Sequence, residues 1–179
     1  MKRRDTLAGL ASLGVLGGGM LVASGRLTDF VRGETIRGKT LETLDTRGSD
    51  GGEATIPERG TVTFIDFFAT WCTDCRQYMG TLTEFHERAP DHVEFVSVTT
   101  EQVGSAITRD EISHWWNRHR GNWTVALDPS LTLAEPIGAT YVPHSFVLDE
   151  TNRIIWSESG LHDVEELEAA LSDGGITET

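Results

Sequence analysis

The chain has 179 residues, of which 28 are Asp or Glu and 15 are Lys or Arg, for a net charge of −13 at neutral pH. That balance excludes a nucleic-acid binder, whose phosphate partner needs a basic stripe, and a hydrophobic content of 38% with five Trp excludes a disordered polymer. Beyond a leader-like start of about 25 residues there is room for one domain with a proper core.

The charge has a second feature: Lys2 and Lys39 are the only lysines, so nearly every cation is arginine. An acidic, lysine-poor surface suits a protein kept soluble in concentrated salt. At molar salt the screening length is about 3 Å, so contact and shape, rather than long-range charge, would select the substrate there.

The chain opens with Lys2, Arg3 and Arg4, followed by an uncharged, glycine-rich and moderately apolar stretch from Thr6 to Gly25. This resembles a twin-arginine export signal, with Ala23 and Gly25 suited to cleavage before Arg26. A run of that length also suits a single membrane anchor that stays in place, so residues 6–25 carry two readings. Either places the domain outside the cytoplasm. Residues 26–39 read as a linker and 40–175 as the domain.

Within the domain, "TLETLD" (40–45) reads as a short edge strand and "RGSDGGEATIPERG" (47–60) as a loop. "TVTFIDFFA" (61–69) is a β-branched and aromatic run, the first strong strand. From Thr73 the period changes, with Cys75, Tyr78, Met79, Leu82 and Phe85 at helical spacing. "HVEFVSVTT" (92–100) is the next strand. "RDEISHWWNRHRG" (109–121) reads as a helix ended by Gly121, and "WTVAL" (123–127) as a strand. A turn and short helix surround Pro136 (128–139). "HSFVLDETNRIIWSES" (144–159) reads as a hairpin turning at "DETN", and "DVEELEAAL" (163–171) as a closing helix. Alternating strands and helices followed by a hairpin indicate an α/β layered sheet, mostly parallel with an antiparallel edge.

The chain's only two cysteines, Cys72 and Cys75, lie where the first strong strand becomes a helix. At i and i+3 they can close a small disulfide ring. Cys72, at the helix N-terminus, sits among unpaired backbone N–H groups that favour its thiolate and fit it to attack a foreign disulfide. Cys75, one turn deeper and less exposed, can then release the mixed disulfide. A purely structural bridge is poorly motivated, since so short a loop restricts the unfolded chain little. Zinc usually takes four ligands; His144 could join the thiols as a third, but His86, His92, His114, His119 and His162 show no metal spacing.

"FIDFFATWCTDCRQYM" resembles the active-site segment of the thioredoxin superfamily, in particular the exported thioredoxin-like reductases associated with cytochrome c maturation. "ATYVPHSFVLDETNRII" (139–155) resembles that family's second signature. The resemblance spans residues 40–173. It implies a thioredoxin-like α/β fold with a central mixed sheet and helices on both faces, and no bound cofactor beyond the redox-active Cys72–Cys75 disulfide. By the same resemblance Cys72 is the attacking cysteine, Cys75 the resolving one, and Trp71 the aromatic flanking the substrate groove. Pro143 matches the family's cis-proline, which implies that Val142 offers its backbone to an extended substrate segment. Asp66 matches the buried carboxylate beneath the thiols, placed to take the Cys75 proton, with its pKa raised by desolvation.

Two departures stand out. Gly80 occupies the place of the family's helix-kinking proline. Thr73 and Asp74 match no common pair between the cysteines, and an acidic neighbour opposes the thiolate while Arg76 partly offsets it. The expectation is a reductant or mild exchanger of disulfides in exported proteins, and the resemblance implies apocytochrome c or a similar protein as substrate and a membrane thiol carrier as donor. An oxidase or isomerase of secreted proteins is the alternative enzyme, and a metal-binding chaperone using Cys72, Cys75 and His144 the alternative of another class.

Overall fold

The computed structural model of the protein describes residues 32–173, so the expected signal or anchor lies outside the described residues. Among the described residues no helix is long and apolar enough to cross a membrane. The elements in chain order are β1 (Lys39–Thr43), β2 (Gly52–Ile56), β3 (Val62–Phe68), α1 (Thr73–Arg88), β4 (Val93–Thr99), α2 (Arg109–Arg118), β5 (Thr124–Leu127), α3 (Ala134–Ile137), β6 (His144–Leu148), β7 (Ile154–Ser159) and α4 (Val164–Asp173).

The seven strands form one sheet in the order β2-β1-β5-β4-β3-β6-β7. Only β3/β4 and β4/β5 run parallel, whereas β1/β2, β1/β5, β3/β6 and β6/β7 run antiparallel. The sheet is therefore mixed, not mostly parallel. Two strand readings are corrected. The strand expected at the edge, β1, lies between β2 and β5, and the true edge strand, β2, comes from the segment read as loop. Its Gly and Pro neighbours hide it, yet Ile56 at its end is fully buried.

Alternation along β3 assigns the two layers. Phe64 and Phe68 face a cluster with Tyr78, Met79, Leu82 and Phe85 of α1, Ile112 and Trp116 of α2, and Leu167 of α4. Ile65 and Phe67 face the other way, with Val96, Val98, Phe146 and Ile137 of the short α3. Every residue of β3 is buried, as expected of a central strand covered on both sides. Helix α1 is continuous through Gly80.

Residues 32–38, the end of the expected linker, are built onto the sheet. Gly33 and Ile36 donate their N–H groups to the carbonyls of Ile154 and Asn152 at 2.7 and 2.8 Å, and Ile154 returns one to Glu34 at 2.9 Å. Ile36 is buried by this pairing.

Helix α2 begins with a capping box, Thr108 accepting from Glu111 N–H and Glu111 accepting from Thr108 N–H. Its end differs from expectation. The left-handed residue is Arg120, at φ 67°, and Gly121 is required for space instead, since a Cβ there would overlap the indole of Trp116. Gly121→Ala should therefore lower stability by about 1–3 kcal/mol through overpacking. Arg120→Gly, which relieves the left-handed backbone, should raise it by about 0.5–1 kcal/mol. Urea unfolding of both variants checks the assignment; the opposite order of stabilities refutes it.

Candidate active site

Strand β3 ends at Phe68 in the middle of the sheet, and the chain turns through Ala69 and Thr70 into α1. Cys72 is the N-cap of that helix: its φ and ψ of −77° and 118° are extended, and its sulfur accepts the Cys75 N–H at 3.0 Å. The two cysteines form a disulfide with Cα atoms 5.3 Å apart. Cys72 keeps 7% of its surface exposed and Cys75 only 2%, which is the order expected of an attacking and a resolving sulfur.

The second signature meets the first at this point. The Val142–Pro143 peptide bond is cis, and the Val142 carbonyl oxygen stands 3.8 Å from Cys72 Sγ. Pro143's own carbonyl accepts Gly160 N–H at 2.9 Å, which ties the loop to the end of β7. Trp71 is 74% exposed beside the sulfurs. Tyr141, one residue before Val142, is 66% exposed; the sequence reading passed over it, although an aromatic next to the proline signature was the available signal.

Glu101 is another residue the sequence reading missed. Its carboxylate accepts the N–H of Thr70 at 2.8 Å and the Thr70 hydroxyl at 2.7 Å, and the Thr99 hydroxyl at 3.1 Å. The turn carrying Trp71 and Cys72 is thus clamped to the end of β4, and nothing in the spacing of residues 31 positions apart announces it.

Asp66 is 1% exposed and alternates with Phe64 and Phe68, so it lies on the face covered by α1. Ser145 of β6, its register partner, donates its hydroxyl to Asp66 Oδ1 at 3.4 Å. Burial pushes the Asp66 carboxyl well above the usual carboxylate range, and the Ser145 bond only partly opposes it. This buried acid is the one titratable side chain of β3.

His144 does not join the thiols. It pairs in register with Phe67, packs at a tilt against Phe146 with ring centroids 4.2 Å apart, and bonds Ser157 Oγ through Nε2 at 3.0 Å. These contacts belong to the sheet face away from α1. Burial, with a smaller effect of His162, lowers its pKa to about 4. The alternative in which His144 joins the thiols as a third metal ligand is thereby corrected, since His144 is a neutral core histidine, and among the described residues no group of three or more His, Cys, Asp or Glu could hold a metal ion.

Residues 26–171 match the Redoxin family. The chain belongs to that family. Curated relatives include the sporulation thiol-disulfide oxidoreductase A of Bacillus subtilis (strain 168), 24% identical over 66% of this chain and 71% of that one. The thiol-disulfide oxidoreductase ResA of Bacillus thuringiensis (strain Al Hakam) is 22% identical over 76% of this redoxin and 69% of its own length. Among solved structures, StoA from Bacillus subtilis superposes with a TM-score of 0.63 at 21% identity, covering 76% of this chain and 98% of that one, which confirms the thioredoxin-like fold. This redoxin is thus a thiol-disulfide oxidoreductase of thioredoxin-like type, as its relatives are named.

The raised Asp66 pKa carries a stability sign. Between the ordinary carboxylate pKa of 3.8 and the raised folded value, the native state holds a proton that the unfolded chain has lost. Stability contributed by the protonated group is complete at low pH and is lost as pH rises through that window. Asp66→Asn removes the ionisation, so it should be more stable than wild type at pH 8 by about 1–3 kcal/mol, with the difference vanishing toward pH 4. Melting temperatures across that range test it; a constant difference would show that the Asp66 pKa is the same in the folded and unfolded chains.

Proposed function

We propose that this redoxin is an exported reductant of protein disulfides, with Cys72 as nucleophile and Cys75 as resolving thiol. The observation that carries the reading is the placement of Cys72 Sγ at the cap of α1, 3.8 Å from the Val142 carbonyl and beside an exposed tryptophan. An extended substrate segment can lie along Val142, with Trp71 and Tyr141 bordering it, so that its disulfide meets the one partly exposed sulfur.

In the reduced enzyme the Cys72 thiolate attacks one sulfur of the substrate bridge, forming a mixed disulfide and releasing the first substrate thiolate. Cys75 then loses its proton to Asp66 and attacks Cys72 Sγ, which closes the enzyme disulfide and frees the second substrate thiolate. Two electrons have passed to the substrate. A dithiol donor reduces the pair again, and a membrane thiol carrier fits that part. Exported proteins such as apocytochrome c are the proposed substrates, in keeping with relatives named for thiol-disulfide exchange. Export rests on residues 1–25, read as a twin-arginine-type signal or an anchor, and the acidic, lysine-poor composition supports service in concentrated salt.

Cys75→Ser expressed in the native cell should accumulate mixed disulfides through Cys72, recoverable and identifiable after reduction. Cys72→Ser should trap nothing and lose at least about a thousandfold in insulin-type disulfide reduction. A reduction potential near that of thioredoxin, about −270 mV, is expected; one near −120 mV would reverse the direction of electron flow. Absence of trapped partners together with absence of reductase activity would remove the reading altogether.

A further inference from the structure

Arg120, in the connection from α2 to β5, holds a left-handed backbone at φ 67°, a conformation that glycine adopts without strain and an arginine does not. The chain has 28 acidic side chains, yet among the described residues Arg120 forms no ion pair. Its side chain instead lines a cleft of about 280 Å³ together with Arg47, which forms no ion pair either.

The second guanidinium is fixed in place. Arg47 donates from Nε to the Gly121 carbonyl at 2.9 Å, and the Arg47 carbonyl accepts the Trp116 indole N–H at 3.0 Å. A Cβ on Gly48 would overlap the backbone of Asn122 and Trp123, so the two loops touch directly. With Nε committed to Gly121, the terminal nitrogens of Arg47 remain as donors.

Asn122 and His86 complete the polar lining. The His86 ring tilts against Trp123 with centroids 5.1 Å apart, and Trp123 is itself held by its indole N–H on Ser97 Oγ at 2.9 Å. Burial lowers the His86 pKa, so the imidazole brings a neutral N–H while the arginines bring the charge. Thr83 gives its hydroxyl hydrogen to the Met79 carbonyl and adds no donor. Glu87 is the one acid on the lining, and it pairs with neither guanidinium.

We infer that this cleft binds the phosphate group of a small solute, as free phosphate or as a phosphate monoester. Two guanidinium forks match the oxygens of a tetrahedral dianion, and the Asn122 amide and His86 N–H are donors for those that remain. The volume falls just short of the pockets that hold drug-sized ligands, so it suits a phosphate with a few attached carbons. Thr83, His86 and Glu87 lie in the later turns of α1 and Cys72 caps its first, roughly 20 Å away along the axis. The site is therefore separate from the thiols and does not depend on the reading of their chemistry.

Titration calorimetry of the full-length protein with glycerol phosphate and with inorganic phosphate, in chloride buffer at constant ionic strength, tests the inference. At least one of the two should show a single saturable site, with acetate binding at least about tenfold more weakly because it offers fewer oxygens to the forks. Arg120→Gly and Arg47→Met should each weaken phosphate binding about tenfold or more, the loss expected when a hydrogen-bonded charge is removed. Arg120→Gly guards against misfolding, since relief of its backbone makes that variant the more stable protein while its affinity falls. Saturable binding by neither phosphate compound, acetate binding as tightly as phosphate, or an unchanged affinity in Arg120→Gly would overturn the site.

Discussion

One contact organises the site: the Cys75 N–H donating to Cys72 Sγ across the first turn of α1. A helix start leaves its first amides without partners, and a short oxygen side chain usually satisfies one of them. Here sulfur takes that place. The arrangement gives the helix its cap and brings the partial positive charge of its terminus to the Cys72 sulfur, where it favours a thiolate. It works only because the helix is held still, which Tyr78, Met79, Leu82 and Phe85 achieve by burying one face against Phe64, Phe68 and Phe95. From the other side, Glu101 fixes the approach at Thr70 and the loop of Val142 and Pro143 closes over the sulfur.

Beneath the helix the sheet gives up apolar packing for polar groups. Asp66 lies in a strand whose other residues are uncharged and, apart from Thr63, aromatic or aliphatic, and an uncharged residue would pack there at lower cost. Its neighbours across the strands on both sides are serines, Ser97 and Ser145. Ser97 Oγ accepts the Trp123 indole N–H at 2.9 Å, and Ser145 is the hydroxyl that donates to the carboxylate. The site thus holds a buried acid whose ionised form is disfavoured by its surroundings.

How much of this was legible depended on how local the signal was. The β3–α1 junction could be read because an unbroken apolar run gives way to 3.6-residue spacing within ten positions, and the two cysteines fall on that boundary. Asp66 was legible for the same reason, as a lone charge inside such a run. Strand β2 was not, because "GGEATI" has turn composition and becomes a strand only through its ladder with β1. Tyr78 was visible only as a core position of the helix, since its hydroxyl contact with Ser145 joins residues 67 positions apart. Nor could spacing tell that His144, beside the proline signature, turns its ring to the opposite layer; that is set by the β3–β6 register.

That register has a further consequence for orientation. Phe67, near the thiols, pairs with His144, and Thr63 pairs with Leu148, so the β6–β7 turn lies at the pole remote from the disulfide. Gly33, Glu34 and Ile36 are laced to that remote turn. Any tether joined to the domain through this segment would pull from one pole while the reactive sulfur looks out from the other, a strand length or roughly 20 Å away.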